Sequence, residues 1–103
     1  MIRQFDVFDN PSAVQRGKTP FVAVLQSHHL HGIATAVVAP LHAASIERLA
    51  GLCVEVEVNE IPVVLVASEL AHLPASRLRR KVCSPLRWDD DIRRALDRLF
   101  TGF

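Results

Sequence analysis

Several residue types are scarce in this chain of 103 residues, and each scarcity excludes a class of protein. The two cysteines, Cys53 and Cys83, are too few for a disulfide framework and form no CxxC pair. No apolar run reaches the roughly 18 residues that a membrane helix needs, and the first residues lack the apolar core of a signal peptide. Four glycines leave no glycine-rich phosphate loop. A reducing, cytoplasmic setting without membrane contact is the simplest expectation.

The chain does contain enough apolar material for one folded domain. Half of the residues are hydrophobic and 22% are charged, a balance that excludes intrinsic disorder. The length predicts a single domain over residues 1–103. Twelve basic and eleven acidic residues give a net charge of +1, which argues against the nucleic-acid backbone as the main partner. The charge is uneven, because residues 77–103 hold eight basic and four acidic side chains.

Short segments rich in β-branched and aromatic residues predict about five strands. The clearest signal is a hairpin, in which three valines alternate with two glutamates over residues 54–58 and the turn falls at Asn59 and Glu60. Pro40 suits a sheet edge or a bulge better than a central ladder. The returning strand of the hairpin is wholly apolar, which predicts burial on both faces. The five predicted strands cover residues 4–8, 20–26, 33–41, 54–58 and 61–67.

The C-terminal segment has the strongest helical pattern in the sequence. One apolar stripe recurs at helical spacing through Trp88, Ile92, Leu96, Leu99 and Phe100. Three aspartates precede three arginines, so the charges complement the helix dipole, and Gly102 is a natural stop. We also expect ion pairs from Asp89 to Arg93 and from Asp90 to Arg94. Strands followed by one helix predict a small curled sheet or barrel with the helix packed against it.

Three histidines lie close together in the predicted turn after the second strand: His28, His29 and His31. Imidazole suits zinc and copper, so a metal site is one interpretation. A closed site needs four ligands and no further ligand lies at a standard spacing, which favours an exposed histidine-rich turn. Because imidazole titrates near pH 6.5, binding through this turn would depend on pH between about 5.5 and 7.5.

The other chemistry-bearing residues carry no enzyme signature, and we expect no catalytic residue, cofactor or metal centre. Ser27 beside His28 and Ser68 beside Glu69 lack the strand–turn–helix context of a catalytic nucleophile. The basic run at residues 77–81 has the charge to contact phosphate. Without an interleaved aromatic platform, a solvated surface is the favoured interpretation of that run.

The last residues are more apolar than an exposed terminus requires. Phe100 and Phe103 both fall in the final four residues, where chains fray unless something holds them. From the residues alone, three roles for these phenylalanines stay open: packing on the core, forming a dimer interface, and binding a partner.

Five short segments, taken in order, carry a family resemblance. Residues 4–8 read Gln-Phe-Asp-Val-Phe, residues 21–27 Phe-Val-Ala-Val-Leu-Gln-Ser, and residues 35–41 Thr-Ala-Val-Val-Ala-Pro-Leu. Residues 68–74 read Ser-Glu-Leu-Ala-His-Leu-Pro, and residues 91–103 form a helical segment that closes on a glycine and a hydrophobic residue. In order, spacing and total length, the five resemble CcdB, the gyrase-poisoning toxin family of the CcdA/CcdB toxin–antitoxin system.

The resemblance implies a mainly β fold, an SH3-like barrel of the CcdB/MazF type with a C-terminal helix, in a cytoplasmic homodimer. It implies binding to the GyrA subunit of DNA gyrase and trapping of the gyrase–DNA cleavage complex by a wedge between protein subunits, without catalysis. It also implies neutralisation by the disordered tail of a CcdA-type antitoxin. DNA contact and transcriptional autoregulation would then come only through the toxin–antitoxin complex.

The resemblance also transfers a gyrase-binding set, mostly at the end of the helix. Thr101 departs from the tryptophan found there in the best-known plasmid toxin, and this removes a large aromatic contact. Ala36 stands where the family segment carries arginine. The expected set is His29, Leu30, Asp97, Phe100, Thr101, Gly102 and Phe103.

Two other functions stay open. An endoribonuclease of the MazF/Kid type shares the barrel fold and would need a basic groove with a general acid–base set. Residues 77–81 would supply its basic patch and a histidine its base. The second alternative is an inactive CcdB-like protein that only binds antitoxin, as the departures at Ala36 and Thr101 allow.

Overall fold

The computed structural model describes residues 2–26, 34–43, 52–83 and 87–102. Within these residues, seven strands form one antiparallel sheet, and one α-helix, α1 (Asp89–Thr101), follows them. Short 3-10 turns lie at Ala13–Gln15, Ala67–Glu69 and Ala75–Arg77. The strands are β1 (Val7–Asp9), β2 (Phe21–Val24), β3 (Thr35–Ala43), β4 (Cys53–Val58), β5 (Ile61–Val66), β6 (Ala71–Pro74) and β7 (Lys81–Cys83).

The strand order is β4-β5-β3-β2-β1-β7, with β6 also paired to β3, and it gives a mostly β half-barrel. Strand β3 is its centre, because its nine residues serve three neighbours. Along one edge β3 pairs with β2, and along the other it pairs first with β6 and then with β5. The predicted fold class, mainly β and barrel-like with a C-terminal helix, is confirmed.

Pro40 lies inside this central strand, and the expectation of an edge or a bulge is wrong. Leu25 donates its backbone N–H to the carbonyl oxygen of Val37 at 2.8 Å, which fixes the alternation of the β2–β3 ladder. In that alternation Val22 and Pro40 are a pair without mutual hydrogen bonds, so the proline nitrogen points away from β2. On that other edge, pairing with β6 ends at Val38 and pairing with β5 begins one residue beyond Pro40. The missing N–H therefore falls in the gap between two partner strands.

The β2 strand is buried on both faces because the sheet separates two apolar clusters. Phe21 and Ala23 enter the larger cluster, which also holds Ile92 of α1. Val22 and Val24 enter the smaller cluster, since successive side chains of a strand point to opposite faces.

The hairpin β4–β5 matches its prediction closely. The three valines of β4 are buried and its two glutamates are exposed. Asn59 and Glu60 form the two-residue turn with φ values of 48° and 70°, the left-handed conformation that a type I′ turn requires. The returning strand is buried from Val63 onward, but Ile61 at its start is 49% exposed, so burial on both faces holds only for its second part.

Helix α1 matches the predicted stripe at its centre, where Ile92 and Ala95 are buried and the helix packs against β4 and the turn at Ala67–Glu69. The predicted i, i+4 ion pairs do not form. Arg94 contacts Asp91 at 3.3 Å instead, and the Arg93 guanidinium lies over the Phe5 ring, 5.2 Å from its centroid. The aromatic face draws Arg93 toward the core and away from its own helix.

The start of the first predicted strand is wrong and two strands were missed, because other interactions decide there. Gln4 and Phe5 form a turn, with Phe5 at φ 69° and the N–H of Asp6 bonded to the carbonyl of Arg3 at 3.1 Å. That turn buries the Phe5 ring, which is 4% exposed. Strands β6 and β7 were not predicted, because they are short and gain their hydrogen bonds from β3 and β1.

Candidate functional site

The predicted binding set divides between described and undescribed parts of the chain. Four members lie on the exposed end of α1: Asp97, Phe100, Thr101 and Gly102. The other three, His29, Leu30 and Phe103, lie outside the described residues. The structure therefore brings four of the seven together on one helix end.

Phe100 is the apolar member of this helix end, and 71% of its surface is exposed. It lies two turns beyond Ile92, which is fully buried on the same predicted stripe. The helix thus runs past the core that covers its first half. An exposed aromatic ring of this size is the type of side chain that anchors protein interfaces.

The backbone around Phe100 is held by two local bonds. Gly102 adopts φ 80° and donates its N–H to the carbonyl oxygen of Arg98 at 2.9 Å, so the predicted stop is confirmed. The hydroxyl of Thr101 donates to the carbonyl oxygen of Asp97 at 2.6 Å. The first bond satisfies a carbonyl that a helix end otherwise leaves open, and the second holds the Thr101 side chain against its own helix, so Phe100 is presented from an ordered last turn.

Ala36, where the family segment carries arginine, is 4% exposed and belongs to the smaller apolar cluster. Its side chain packs there with those of Phe8 and Val38. The alanine at this position therefore contributes to core packing.

A second polar arrangement was not predicted from the sequence. The Thr19 hydroxyl lies 2.6 Å from Nδ1 of His42, and Nε2 of His42 lies 2.7 Å from a carboxylate oxygen of Glu69. An ionised carboxylate only accepts, so His42 donates from Nε2 and Nδ1 accepts from the threonine. The partners lie 23 and 27 residues apart, and no local sequence pattern links such positions.

This Thr19–His42–Glu69 relay lines a cleft of about 680 Å³. The relay fastens the segment before β2 to β3 and to the turn at Ala67–Glu69. Thr19 is buried, whereas the Glu69 side chain is 56% exposed and that of His42 is 16% exposed. The imidazole and the carboxylate form a hydrogen-bonded pair at the cleft wall, beside the buried threonine.

A buried carboxylate lies at the other end of the sheet. Asp6 is fully buried, accepts the backbone N–H of Arg3 at 2.9 Å and lies 3.4 Å from the Lys81 ammonium. Burial raises the pKa of the nearby Cys83 thiol, the charge of Asp6 raises it further, and Lys81 opposes both. Cys53 and Cys83 are free thiols.

Two further observations concern sites that the sequence analysis raised. Within the described ranges, no three His, Cys, Asp or Glu side chains gather into a group that could hold a metal ion. The histidines His28, His29 and His31 lie outside those ranges. Among the same residues, α1 is too short and too polar to cross a membrane.

Comparison with known proteins gives one family match. The model of the CcdB protein family matches residues 4–102, which is nearly the whole chain. None of the curated proteins matches the chain. The chain therefore belongs to the CcdB family, and this membership supports a toxin of the CcdB type.

Proposed function

We propose that this protein binds the GyrA subunit of DNA gyrase through the end of α1 and traps the gyrase–DNA cleavage complex. The observation that carries the proposal is Phe100, a 71% exposed aromatic side chain on an ordered last turn. Family membership supports the toxin class, and the exposed ring supports this location for the interface. The protein acts by binding, without catalysis or a cofactor.

The remaining members of the binding set follow from the same proposal. Asp97, Thr101 and Gly102 surround Phe100 on the helix end, and His29, Leu30 and Phe103 complete the set. Because Thr101 replaces an aromatic residue, Phe100 carries a larger share of the apolar contact. We further propose a cytoplasmic homodimer, a CcdA-type antitoxin as the neutralising partner, and autoregulation by their complex.

Expression of the protein tests gyrase poisoning in the cell. The protein is induced in a gyrase-sensitive bacterium and in a strain with a CcdB-resistant gyrase allele. We expect death of the sensitive strain alone. Equal death of both strains would assign another target, and survival of both with abundant folded protein would favour the inactive, antitoxin-binding alternative.

Binding to purified GyrA tests the site. Phe100→Ala removes the exposed ring, and we expect at least a tenfold loss of affinity with an unchanged melting temperature. Val14→Ala is the matched control, because Val14 is 95% exposed on the turn before β2. If both variants bind like the native protein, the interface lies elsewhere.

An endoribonuclease of the MazF/Kid type is the second candidate, and one observation favours it. His42 and Glu69 form a hydrogen-bonded acid–base pair at 2.7 Å in a cleft that Lys18 also lines. Incubation of purified protein with RNA in the absence of gyrase tests this function. Cleavage that disappears in His42→Ala would support it, and intact RNA would exclude it.

A further inference from the structure

We propose that an arginine-lined cleft between the segment before β2 and the segment before β7 binds the phosphodiester backbone of DNA directly. This inference goes beyond the gyrase interaction. It also departs from the expectation that DNA contact comes only through the toxin–antitoxin complex. The cleft has a volume of about 340 Å³ and is lined by Asp9, Pro11, Arg16, Arg77, Arg79 and Arg80.

The first argument is uncompensated charge. Four guanidinium groups line the cleft and one carboxylate, Asp9, accompanies them. Asp9 lies 3.5 Å from Arg80, whose side chain is 84% exposed. On α1, by contrast, four aspartates accompany three arginines. The described lining of this cleft thus carries a surplus of three positive charges, in a chain whose net charge is only +1.

The second argument is that the backbone holds these arginines in place. Leu78 is buried in the smaller apolar cluster, so the segment is anchored between the exposed Arg77 and Arg79. The carbonyl of Arg80 accepts the N–H of Asp9 at 2.9 Å. Across the cleft, Nε of Arg16 donates to the carbonyl of Asn10 at 2.7 Å, which leaves its terminal nitrogens for a ligand.

The third argument concerns the kind of anion. Peptide recognition relies on apolar anchors that enter pockets, and among the described residues that line this cleft Pro11 is the single apolar one. Guanidinium groups match phosphate oxygens with paired N–H donors. None of the lining residues that the structure describes is an aromatic side chain on which a base could stack. These features fit contact with the sugar–phosphate backbone of DNA, without recognition of its base sequence.

Fluorescence anisotropy with a mixed-sequence DNA duplex, measured from 25 to 200 mM salt, tests the proposal. Each phosphate contact contributes a slope of about −0.9 to the dependence of log K on log salt, so three contacts predict a slope near −3. The double variant R77Q/R79Q should lower affinity at least tenfold and reduce the slope by about 2. AT-rich and GC-rich duplexes should bind alike.

R94Q/R98Q on the exposed face of α1 is the matched control, because it removes the same charge outside the cleft. It should leave the slope unchanged, and R77K/R79K should keep the slope while losing part of the affinity. Equal loss in both glutamine pairs would overturn the proposal in favour of general electrostatic attraction. Absence of binding at 25 mM salt would also overturn it. The proposal would also be overturned if polyglutamate competed for the cleft as well as DNA does. Binding of pyrophosphate without binding of DNA would overturn it too.

Discussion

The Thr101 hydroxyl lies 2.6 Å from the carbonyl oxygen of Asp97, so the residue that stands where the best-known plasmid toxin has tryptophan is turned back onto its own helix. A threonine in the last helical turn readily makes this bond. The Thr101 side chain therefore adds little apolar surface beside Phe100 and bonds to the helix end instead. The last turn of α1 therefore gains a hydrogen bond, and the surface proposed to bind gyrase has one aromatic side chain, Phe100, among its described residues.

Restoring the aromatic residue should strengthen the interface. Thr101→Trp adds a large exposed ring beside Phe100, and we expect at least a tenfold gain in affinity for purified GyrA. Thr101→Val is the control, since it removes the hydroxyl without adding an aromatic surface. Calorimetric titration of the three proteins measures the effect. A tryptophan variant that binds no better than the native protein would contradict the assigned interface.

Two elements followed directly from the sequence because their signals are local. The alternation over β4 and the stripe around Ile92 each lie within one element, so nearest neighbours along the chain decide them. The CcdB resemblance also held, because the segments that carry it span the chain.

What the sequence did not reveal depends on contacts between distant residues. Strand β6 ends in a proline and exists because β3 supplies its hydrogen bonds. Phe5 leaves the extended conformation because a turn buries its ring. The Thr19–His42–Glu69 relay joins three elements whose proximity only the sheet topology creates. The hydrophobic periodicity of a sequence does not predict such contacts between distant residues.

The buried carboxylate at Asp6 should make its cation partner costly to remove. Lys81→Met removes the half-exposed ammonium that lies 3.4 Å from the fully buried Asp6, and we expect a loss of about 1.5–3 kcal/mol in the free energy of unfolding. Arg80→Met is the control, because its ion pair with Asp9 is exposed and contributes less than about 1 kcal/mol. Urea unfolding followed by circular dichroism measures both. Equal losses of unfolding free energy in the two variants would contradict a larger contribution from the ion pair of the buried Asp6.

The hairpin turn should be stabilised by glycine at its second position. Glu60 adopts φ 70°, which costs a residue with a side chain roughly 1–2 kcal/mol. After the entropy that glycine loses on folding, Glu60→Gly should raise the free energy of unfolding by about 0.5–1 kcal/mol. Asn59→Gly should change it little, since asparagine tolerates this conformation. A destabilised Glu60→Gly variant in the same urea titration would exclude the type I′ turn.

Stability should fall at alkaline pH through Cys83. Burial raises the pKa of this thiol above its ordinary value of 9.0, so the unfolded chain loses the proton at a lower pH than the folded chain. The stabilising contribution is therefore complete below pH 9.0 and is lost as the pH rises through the folded value. Unfolding titrations from pH 7 to 10 should show a steeper decline for the native protein than for Cys83→Ala. Parallel curves would count against this coupling.

The polar relay should contribute to stability through its hidden hydroxyl. Thr19→Val keeps the shape but leaves Nδ1 of His42 without its donor, and we expect a loss of about 1–2 kcal/mol. Thr19→Ser retains the hydroxyl and should recover most of that loss. The comparison uses chemical unfolding at pH 7.5. Val and Ser variants of equal stability would mean that the hydroxyl contributes nothing.

The pairing of β1 with β7 has a consequence for how the protein is made. Val7 lies opposite Cys83, so the outer edge of β1 stays without its neighbour until most of the chain has been translated. At ~5–20 residues per second, the ribosome needs about 4–15 s to supply the intervening chain. The β4–β5 hairpin, by contrast, closes within microseconds once its two strands have emerged. The outer edge of β1, at the start of the chain, is therefore the last part of this sheet to gain its neighbour.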